Sequence, residues 1–236
     1  MRVALFATCL GDRVFPDATA DAVRLLRHVG VDVDYPAGQT CCGQPALNAG
    51  YVREARALAR HTVRVLRGAD YVVLPSGSCA GMIRHHVPTL LGEEHADARA
   101  VGDRTYELAQ FLVQVLGIRT LGQGLVGRRV SYHHGCHALR QLGVRTEPVQ
   151  LLEGSGAQVI PWEACEECCG FGGLFSVKLP VVSAGMADRK LDTLPDADVV
   201  TSADGGCLMQ LSGRARRRGV EVPFRHLASL LWEAVA

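Results

Sequence analysis

The sequence predicts an α/β protein built from two similar lobes, each with a parallel sheet flanked by helices. Two observations support this fold class. Short β-type runs alternate with helical patterns along the chain, an order typical of parallel sheets. In addition, eight cysteines mark an internal repeat of about 127 residues. A chain of 236 residues with a 48% hydrophobic composition is long enough to form two such lobes.

Three strand-like runs occur in each half of the chain. They cover residues 3–7, 31–35 and 71–74, and then residues 130–132, 158–160 and 199–201. Helical patterns separate them, which predicts Rossmann-like lobes at residues 1–120 and 121–236, joined through the glycine-rich stretch 117–127. The spacing of Phe224, Leu227, Leu230 and Leu231 predicts a closing helix that packs on the second lobe.

The cysteines form two sets of four with matching spacing. The first quartet is Cys9, Cys41, Cys42 and Cys79, and the second quartet is Cys136, Cys168, Cys169 and Cys207. Corresponding members are 127, 127, 127 and 128 residues apart. Each cysteine follows a predicted strand run, so all eight are expected beyond the carboxyl ends of the strands, where ligands of parallel sheets bind.

The spacing within each quartet is suited to a metal. Two adjacent thiols can bind one centre only where the backbone turns sharply, and Gly43 and Gly170 permit that turn. Four converging sulfurs suit either tetrahedral zinc or an iron–sulfur cluster. Iron–sulfur is favoured, because structural zinc usually takes its ligands from two close pairs of cysteines. Redox exchange by metal-free vicinal thiols is a third interpretation.

Composition argues against several other classes of protein. The formal net charge is +1, so no overall field attracts nucleic acid or an anionic membrane. No apolar run is long enough to span a bilayer. Nine cysteines without a recognisable secretory signal predict a reducing cytoplasm, where grouped cysteines usually indicate metal or catalysis.

Five segments resemble the cysteine-rich, CCG-domain family. They are residues 41–46 (CCGQPA), 75–79 (PSGSC), 134–140 (HGCHALR), 168–173 (CCGFGG) and 205–209 (GGCLM). The resemblance covers nearly the whole chain. It extends more distantly to a subunit of heterodisulfide reductase and to the iron–sulfur subunits of glycolate oxidase and anaerobic glycerol-3-phosphate dehydrogenase.

This resemblance implies one or two 4Fe-4S clusters in a subunit of a multi-protein system that oxidises L-lactate to pyruvate. It also implies companion lactate utilization proteins, one of them iron–sulfur. Fully equipped family members carry a fifth cysteine per module, but Ser76 and Asp204 stand at those positions here. An ordinary 4Fe-4S cluster, or zinc in one lobe, is therefore expected, with Ser76 and Asp204 as weaker oxygen ligands. A zinc-stabilised scaffold without redox activity and heterodisulfide-reductase-like thiol chemistry are the alternative functions.

Other residues near the second quartet have two interpretations each. His137 and Arg140 are candidate catalytic residues, since an imidazole can donate to cluster sulfur or take a substrate proton. They can equally satisfy backbone groups at the strand end, and for His133 that structural role is favoured. The unrepeated Cys165 belongs to neither quartet.

Overall fold

Two four-stranded parallel sheets organise the chain, whose computed structural model describes residues 1–92 and 95–235. The strand order is β2-β1-β3-β4 in the first lobe and β6-β5-β7-β8 in the second. The strands are β1 (Arg2–Leu5), β2 (Asp32–Asp34), β3 (Tyr71–Leu74), β4 (Thr105–Glu107), β5 (Arg129–Tyr132), β6 (Gln158–Val159), β7 (Val199–Ser202) and β8 (Phe224–His226). The predicted fold class of two similar α/β lobes is confirmed.

Helices connect the strands in both lobes. In the first lobe they are α1 (Cys9–Arg13), α2 (Pro16–His28), α3 (Gln44–Asn48), α4 (Val52–Leu66), α5 (Gly77–Gly81), α6 (Val87–Leu91), α7 (Ala96–Asp103) and α8 (Leu108–Gln110). The π-helical segments Met82–His86 and Phe111–Val115 follow α5 and α8. In the second lobe they are α9 (Cys136–Gln141), α10 (Glu147–Gly154), α11 (Phe175–Lys178), α12 (Pro180–Asp192), α13 (Gly205–Arg217) and α14 (Leu227–Glu233). Across the described ranges, no helix has both the length and the apolar character that a bilayer span requires.

The central strand pairs have matching registers in the two lobes. Val3 lies opposite Tyr71 in the β1–β3 pair, and Val130 lies opposite Val199 in the β5–β7 pair. Parallel strands in register bring their carboxyl ends to the same edge of the sheet. The loops and helices that carry the cysteines therefore start from equivalent edges.

Strands β4 and β8 are not predicted from the sequence. The assignment of Phe224 to the closing helix is also wrong. Phe224 lies in β8, where it pairs with Val200 of β7, and the helix begins at Leu227. Each of these strands has three residues and leads directly into a helix. So short a segment shows too little alternation to be separated from the helical pattern that follows it.

One hydrophobic core joins the two lobes. Leu5 and Leu25 of the first lobe belong to the same buried cluster as Val130 and Leu231 of the second. Helix α14 packs against α2 as well as against its own sheet, so the predicted contact with the second lobe is only part of its role. A division of the chain between residues 120 and 121 stays a prediction.

Candidate metal centres

Four of the eight repeated cysteines lie in the first turns of helices. Cys9 and Cys136 are the first residues of α1 and α9. Cys79 and Cys207 lie in the first turns of α5 and α13. The free N–H groups at a helix start favour negative charge, so these positions stabilise thiolate.

A glycine in the left-handed conformation follows each adjacent cysteine pair. The φ angles are +92° at Gly43 and +83° at Gly170, a region that residues with a Cβ rarely adopt. This turn points the glycine N–H at the first sulfur of the pair. Gly43 N–H donates to Cys41 Sγ at 3.5 Å, and Gly170 N–H donates to Cys168 Sγ at 3.4 Å.

The sulfurs of the first quartet form a continuous chain of contacts. Cys9 Sγ lies 3.8 Å from Cys41 Sγ. Cys42 Sγ lies 3.2 Å from Cys79 Sγ, and Cys41 and Cys42 are hydrogen-bonded to each other. The structure therefore brings together the four cysteines that the sequence grouped.

The second quartet repeats this arrangement. Cys169 Sγ lies 3.1 Å from Cys207 Sγ, and Cys168 is hydrogen-bonded to both Cys136 and Cys169. The repeat in the sequence thus corresponds to a repeat in sulfur geometry. Metal binding by these eight residues stays a prediction.

In each quartet the pKa of one thiol is lowered, which favours the thiolate form of that cysteine. Hydrogen bonds from the thiols of Cys42 and Cys9 lower the pKa of Cys41 from its ordinary 9.0 to about 2. Those from Cys136 and Cys169 lower the pKa of Cys168 to about 2 as well. The pKa values of the donating thiols rise, because each loses a hydrogen bond when it ionises. Since thiolate is the form that binds metal, each quartet already presents one suitable ligand.

The donor set fits a four-cysteine metal centre. A tetrahedral ion with metal–sulfur bonds of about 2.3 Å separates every pair of its four sulfurs by about 3.8 Å. Neighbouring sulfurs here lie 3.1, 3.2 and 3.8 Å apart, but among the described residues no three sulfurs of a quartet lie within 4.8 Å of one another. A four-iron cluster binds each sulfur to a different iron, so it requires the sulfurs to move further apart.

All eight cysteines line one cavity of about 210 Å³. Gln44 of the first lobe and His137 and Asp204 of the second also line it. The two quartets thus open into one chamber between the lobes. The repeat in the sequence does not predict this shared chamber, because it depends on how the lobes pack.

Ser76 and Asp204 lie together in this chamber wall. Ser76 Oγ donates a hydrogen bond to Asp204 Oδ1 at 3.2 Å, and the Ser78 N–H donates to the same oxygen at 2.9 Å. Ser76 Oγ also accepts a hydrogen bond from the Cys79 N–H at 3.4 Å. Both bonds to Asp204 end on Oδ1, so neither of them engages Oδ2.

The two candidate catalytic residues differ in position. His137 lines the cavity, and its Nδ1 lies 3.3 Å from Gln44 Nε2 and 3.0 Å from Gln141 Oε1. Arg140 is exposed and does not line this cavity. Of the two, only His137 faces the sulfur sites.

A buried cation lies beside the second quartet, a feature that the sequence pattern does not reveal. Lys190 is 0% exposed, and its Nζ lies 4.2 Å from the centre of the Trp162 ring and bonds to the Ala164 carbonyl. Burial lowers its pKa to about 8 despite the nearby Cys169 and Cys207. No local pattern distinguishes this lysine from the solvated lysines that are usual on helices.

Cys165 lies outside the quartets, as its lack of a repeat partner suggested. Its Sγ groups with a ring nitrogen of His134 and a carboxylate oxygen of Glu166, all within 4.8 Å of one another. Glu166 is ion-paired with Arg145. That cation satisfies the carboxylate without a metal.

The fold and the two sulfur quartets define a cysteine-rich α/β protein with a duplicated domain. The CCG cysteine-rich domain matches residues 3–84 and 130–212, which include all eight repeated cysteines. The chain belongs to this cysteine-rich, CCG-domain family.

Relatives that match almost the whole chain give a more specific similarity than the domain does. The chain is 44% identical to lactate utilization protein A of Geobacillus sp. (strain WCH70), covering 98% of this chain and 99% of that one. It is 43% identical to lactate utilization protein A of Geobacillus kaustophilus (strain HTA426), covering 98% of each chain. It is also 41% identical to lactate utilization protein A 2 of Bacillus cereus (strain Q1), again covering 98% of each.

A solved structure shares the fold at low sequence identity. A hypothetical protein from Helicobacter pylori superposes with a TM-score of 0.69 at 10% identity and covers 100% of this chain. The chain spans 49% of the length of that protein. The likeness shows the fold alone.

Proposed function

We propose that this chain is an iron–sulfur electron-transfer subunit of a multi-protein system that oxidises L-lactate to pyruvate. The observation that carries the proposal is the pair of thiol quartets opening into one cavity. The names of the relatives, which cover 98% of the chain, support the lactate-utilization role. An iron–sulfur cluster bound by either quartet supplies one-electron storage.

The residues of the chain contribute binding and electrostatic tuning. The quartets hold the metal centres at the ends of rigid strands, and the N–H groups of Gly43, Gly170 and Phe171 donate to sulfur. Hydrogen bonds to sulfur stabilise the more negative, reduced state. His137 is the one catalytic candidate at the cavity, where it is placed to bind or orient a partner group.

Companion proteins complete the proposed system. The names of the relatives, which cover 98% of this chain, support companion lactate utilization proteins. Electrons therefore pass between this chain and another polypeptide, in our proposal a companion lactate utilization protein with its own iron–sulfur centre. The reducing cytoplasm is the proposed location, because grouped thiols stay reduced there.

Metal analysis under strict exclusion of oxygen tests the cofactor. We expect iron and acid-labile sulfide in the wild type, with an EPR signal after reduction. Cys169→Ser should lose the second-quartet metal, whereas the matched control Cys165→Ser should retain it. Equal loss of metal in both variants contradicts the assignment of Cys169 as a ligand. A wild-type protein without iron and acid-labile sulfide contradicts the iron–sulfur cofactor.

A growth experiment tests the lactate role separately. A deletion strain should fail to grow on L-lactate, recover with the wild-type gene and stay deficient with Cys169→Ser. Growth of the deletion strain on L-lactate at the wild-type rate would contradict the pathway while leaving the metal result intact.

Zinc is the second candidate, and one sulfur separation matches it. The Cys9–Cys41 separation of 3.8 Å equals the edge of a tetrahedral zinc–thiolate site, which is about 3.8 Å for bonds of about 2.3 Å. A zinc scaffold predicts a protein without a redox-active absorbance band that unfolds when chelated, because structural metal binding contributes directly to folding. Heterodisulfide-reductase-like thiol exchange instead predicts a reversible change in free thiols with no metal.

A further inference from the structure

His133 is fully buried at the end of β5, and its hydrogen bonds fix its tautomer. Nδ1 lies 3.1 Å from the Cys165 carbonyl oxygen. A carbonyl oxygen only accepts hydrogen bonds, so Nδ1 carries the proton and donates it. In the neutral ring, Nε2 is then an unprotonated lone pair.

That lone pair is unsatisfied. His133 Nε2 has no hydrogen-bond partner among the described residues. The ring is held by an edge-to-face contact with Trp162, at a centroid separation of 6.2 Å. A buried polar atom without a partner is unfavourable, and each such case in a folded protein requires an explanation.

The second quartet lies next to this ring. A ring nitrogen of His133 and the sulfurs of Cys169 and Cys207 all lie within 4.8 Å of one another. Since Nδ1 is engaged with the Cys165 carbonyl, Nε2 is the nitrogen available to a shared ion. A histidine that binds metal characteristically donates its other ring N–H to a carbonyl or carboxylate, as His133 does.

Phenylalanine occupies the equivalent position of the first lobe. His133 precedes Cys136 by three residues, and the residue three before Cys9 is Phe6. Phe6 is buried in the apolar cluster of the first lobe, beside Cys42 and Cys79. The two quartets therefore differ in their potential donors although their cysteines repeat.

We infer that His133 Nε2 is a nitrogen ligand of a transition metal centre at the second quartet, whereas the first quartet binds through thiolates alone. The inference rests on the proposed function for the presence of metal, but it specifies a ligand that the cysteine pattern does not contain. Imidazole is a suitable ligand for both iron and zinc. The second quartet then offers a neutral nitrogen donor besides its four thiols, so the two centres have unequal donor sets.

Pulsed EPR of the reduced, anaerobically isolated full-length protein tests this ligand. We expect a ¹⁴N coupling in the wild type that changes to a ¹⁵N pattern when the protein is grown with ¹⁵N-histidine. His133→Phe, which installs the residue of the first lobe, should lose the coupling. His134→Gln is the matched control and should keep it, because that ring groups with Cys165 and Glu166.

The outcomes separate this inference from the proposed function. Iron and sulfide at both quartets without any histidine coupling in the wild type would overturn the His133 ligand and leave the iron–sulfur proposal intact. This measurement on the wild type is decisive even if His133→Phe fails to fold.

If the isolated protein contains zinc instead of iron, X-ray absorption replaces EPR. A zinc–nitrogen shell that disappears in His133→Phe supports His133 as a metal ligand and contradicts the iron–sulfur proposal. Zinc with sulfur neighbours alone would contradict the assignment of His133 as a ligand. A protein without metal, even after reconstitution with iron and sulfide or with zinc, overturns both.

Discussion

Asp204 of the second lobe accepts a hydrogen bond from the backbone N–H of Ser78 in the first lobe, at 2.9 Å. Ser78 lies in the first turn of α5, the helix that carries Cys79. A carboxylate at this place satisfies a free N–H group and complements the helix dipole. The wall between the two quartets is therefore held by a bond that crosses from one lobe to the other.

Asp204→Ala should destabilise the protein by about 1 to 2 kcal/mol, the usual cost of losing a helix-capping acceptor. Asp204→Asn keeps an acceptor oxygen and should cost less. Urea unfolding measures both changes. Asp198→Ala is the matched control, because Asp198 accepts an exposed hydrogen bond from the Arg129 N–H within its own lobe. If Asp198→Ala lowers the free energy of unfolding as much as Asp204→Ala does, the bond between the lobes has no special role.

Alanine at the two left-handed glycines should have unequal effects. The conformation itself costs about 1 to 2 kcal/mol for a residue with a Cβ, and this applies to both. In addition, a Cβ at Gly170 would lie 2.6 Å from the Ser183 carbonyl oxygen, whereas one at Gly43 would lie 3.3 Å from Leu58 Cβ. A contact of 2.6 Å forces the backbone to move, whereas one of 3.3 Å is relieved by a much smaller shift, so Gly170→Ala should destabilise more.

Thermal unfolding and metal content distinguish the two glycine variants. Gly170→Ala should lose metal from the second quartet, because the turn that aims the Gly170 N–H at Cys168 is displaced. Gly43→Ala should lose less metal and less stability. The reverse order would show that packing around the turns does not decide the outcome.

Glu107 should make stability depend on pH. Burial is the main cause that raises its pKa from 4.5 to about 8; nearby Asp204 contributes to the rise and the N–H of Gln110 opposes it. Between these pH values the folded state holds one proton more than the unfolded state. Stability therefore falls as pH rises from about 4.5 to about 8 and then levels off.

Glu107→Gln should remove this slope, because glutamine stays neutral and retains an acceptor for the Gln110 N–H. The variant should gain a few kcal/mol over the wild type at pH 8 and little at pH 4.5, since one pKa unit corresponds to about 1.4 kcal/mol. Unfolding by urea at several pH values measures the difference. The exposed Glu153→Gln is the control, and parallel curves for wild type and Glu107→Gln would refute the assignment.

The sequence contains enough to predict the lobes and the membership of each quartet. The sequence shows these features through local patterns: a glycine follows Cys42 and Cys169, and β-type runs precede the cysteines. Tertiary packing does not change what these patterns predict. The shared cavity is different, because it arises from the common core in which Leu5 meets residues of the other lobe. No local pattern encodes that docking.

The environment of the second quartet is also not predictable from the sequence. His133 was expected to satisfy a backbone group, and its Nδ1 does so. The approach of its ring to the sulfurs of Cys169 and Cys207 depends on the packing of the second lobe. Lys190 has the helical spacing of an ordinary surface residue. Its burial against Trp162 depends on packing from another segment.

Lys190 introduces a further difference between the two proposed centres. The second quartet has a buried cation nearby, whereas offsets of 127 and 128 residues place uncharged Val63 and Thr62 at the corresponding positions of the first lobe. A positive charge stabilises the more negative, reduced state of a cluster. At neutral pH the ammonium group is largely protonated, because its pKa of about 8 lies above that pH.

Lys190→Met should therefore lower the reduction potential of the second centre by on the order of 60 mV, which corresponds to about 1.4 kcal/mol for one electron. Arg189→Met is the matched control. It removes a cation from the adjacent position, but Arg189 is exposed and paired with Glu167, so solvent screens its field. Potentiometric titration followed by EPR measures both variants. Equal shifts in the two variants would mean that net charge matters rather than the buried position of Lys190, because only Lys190 shares the low-dielectric surroundings of Cys169 and Cys207.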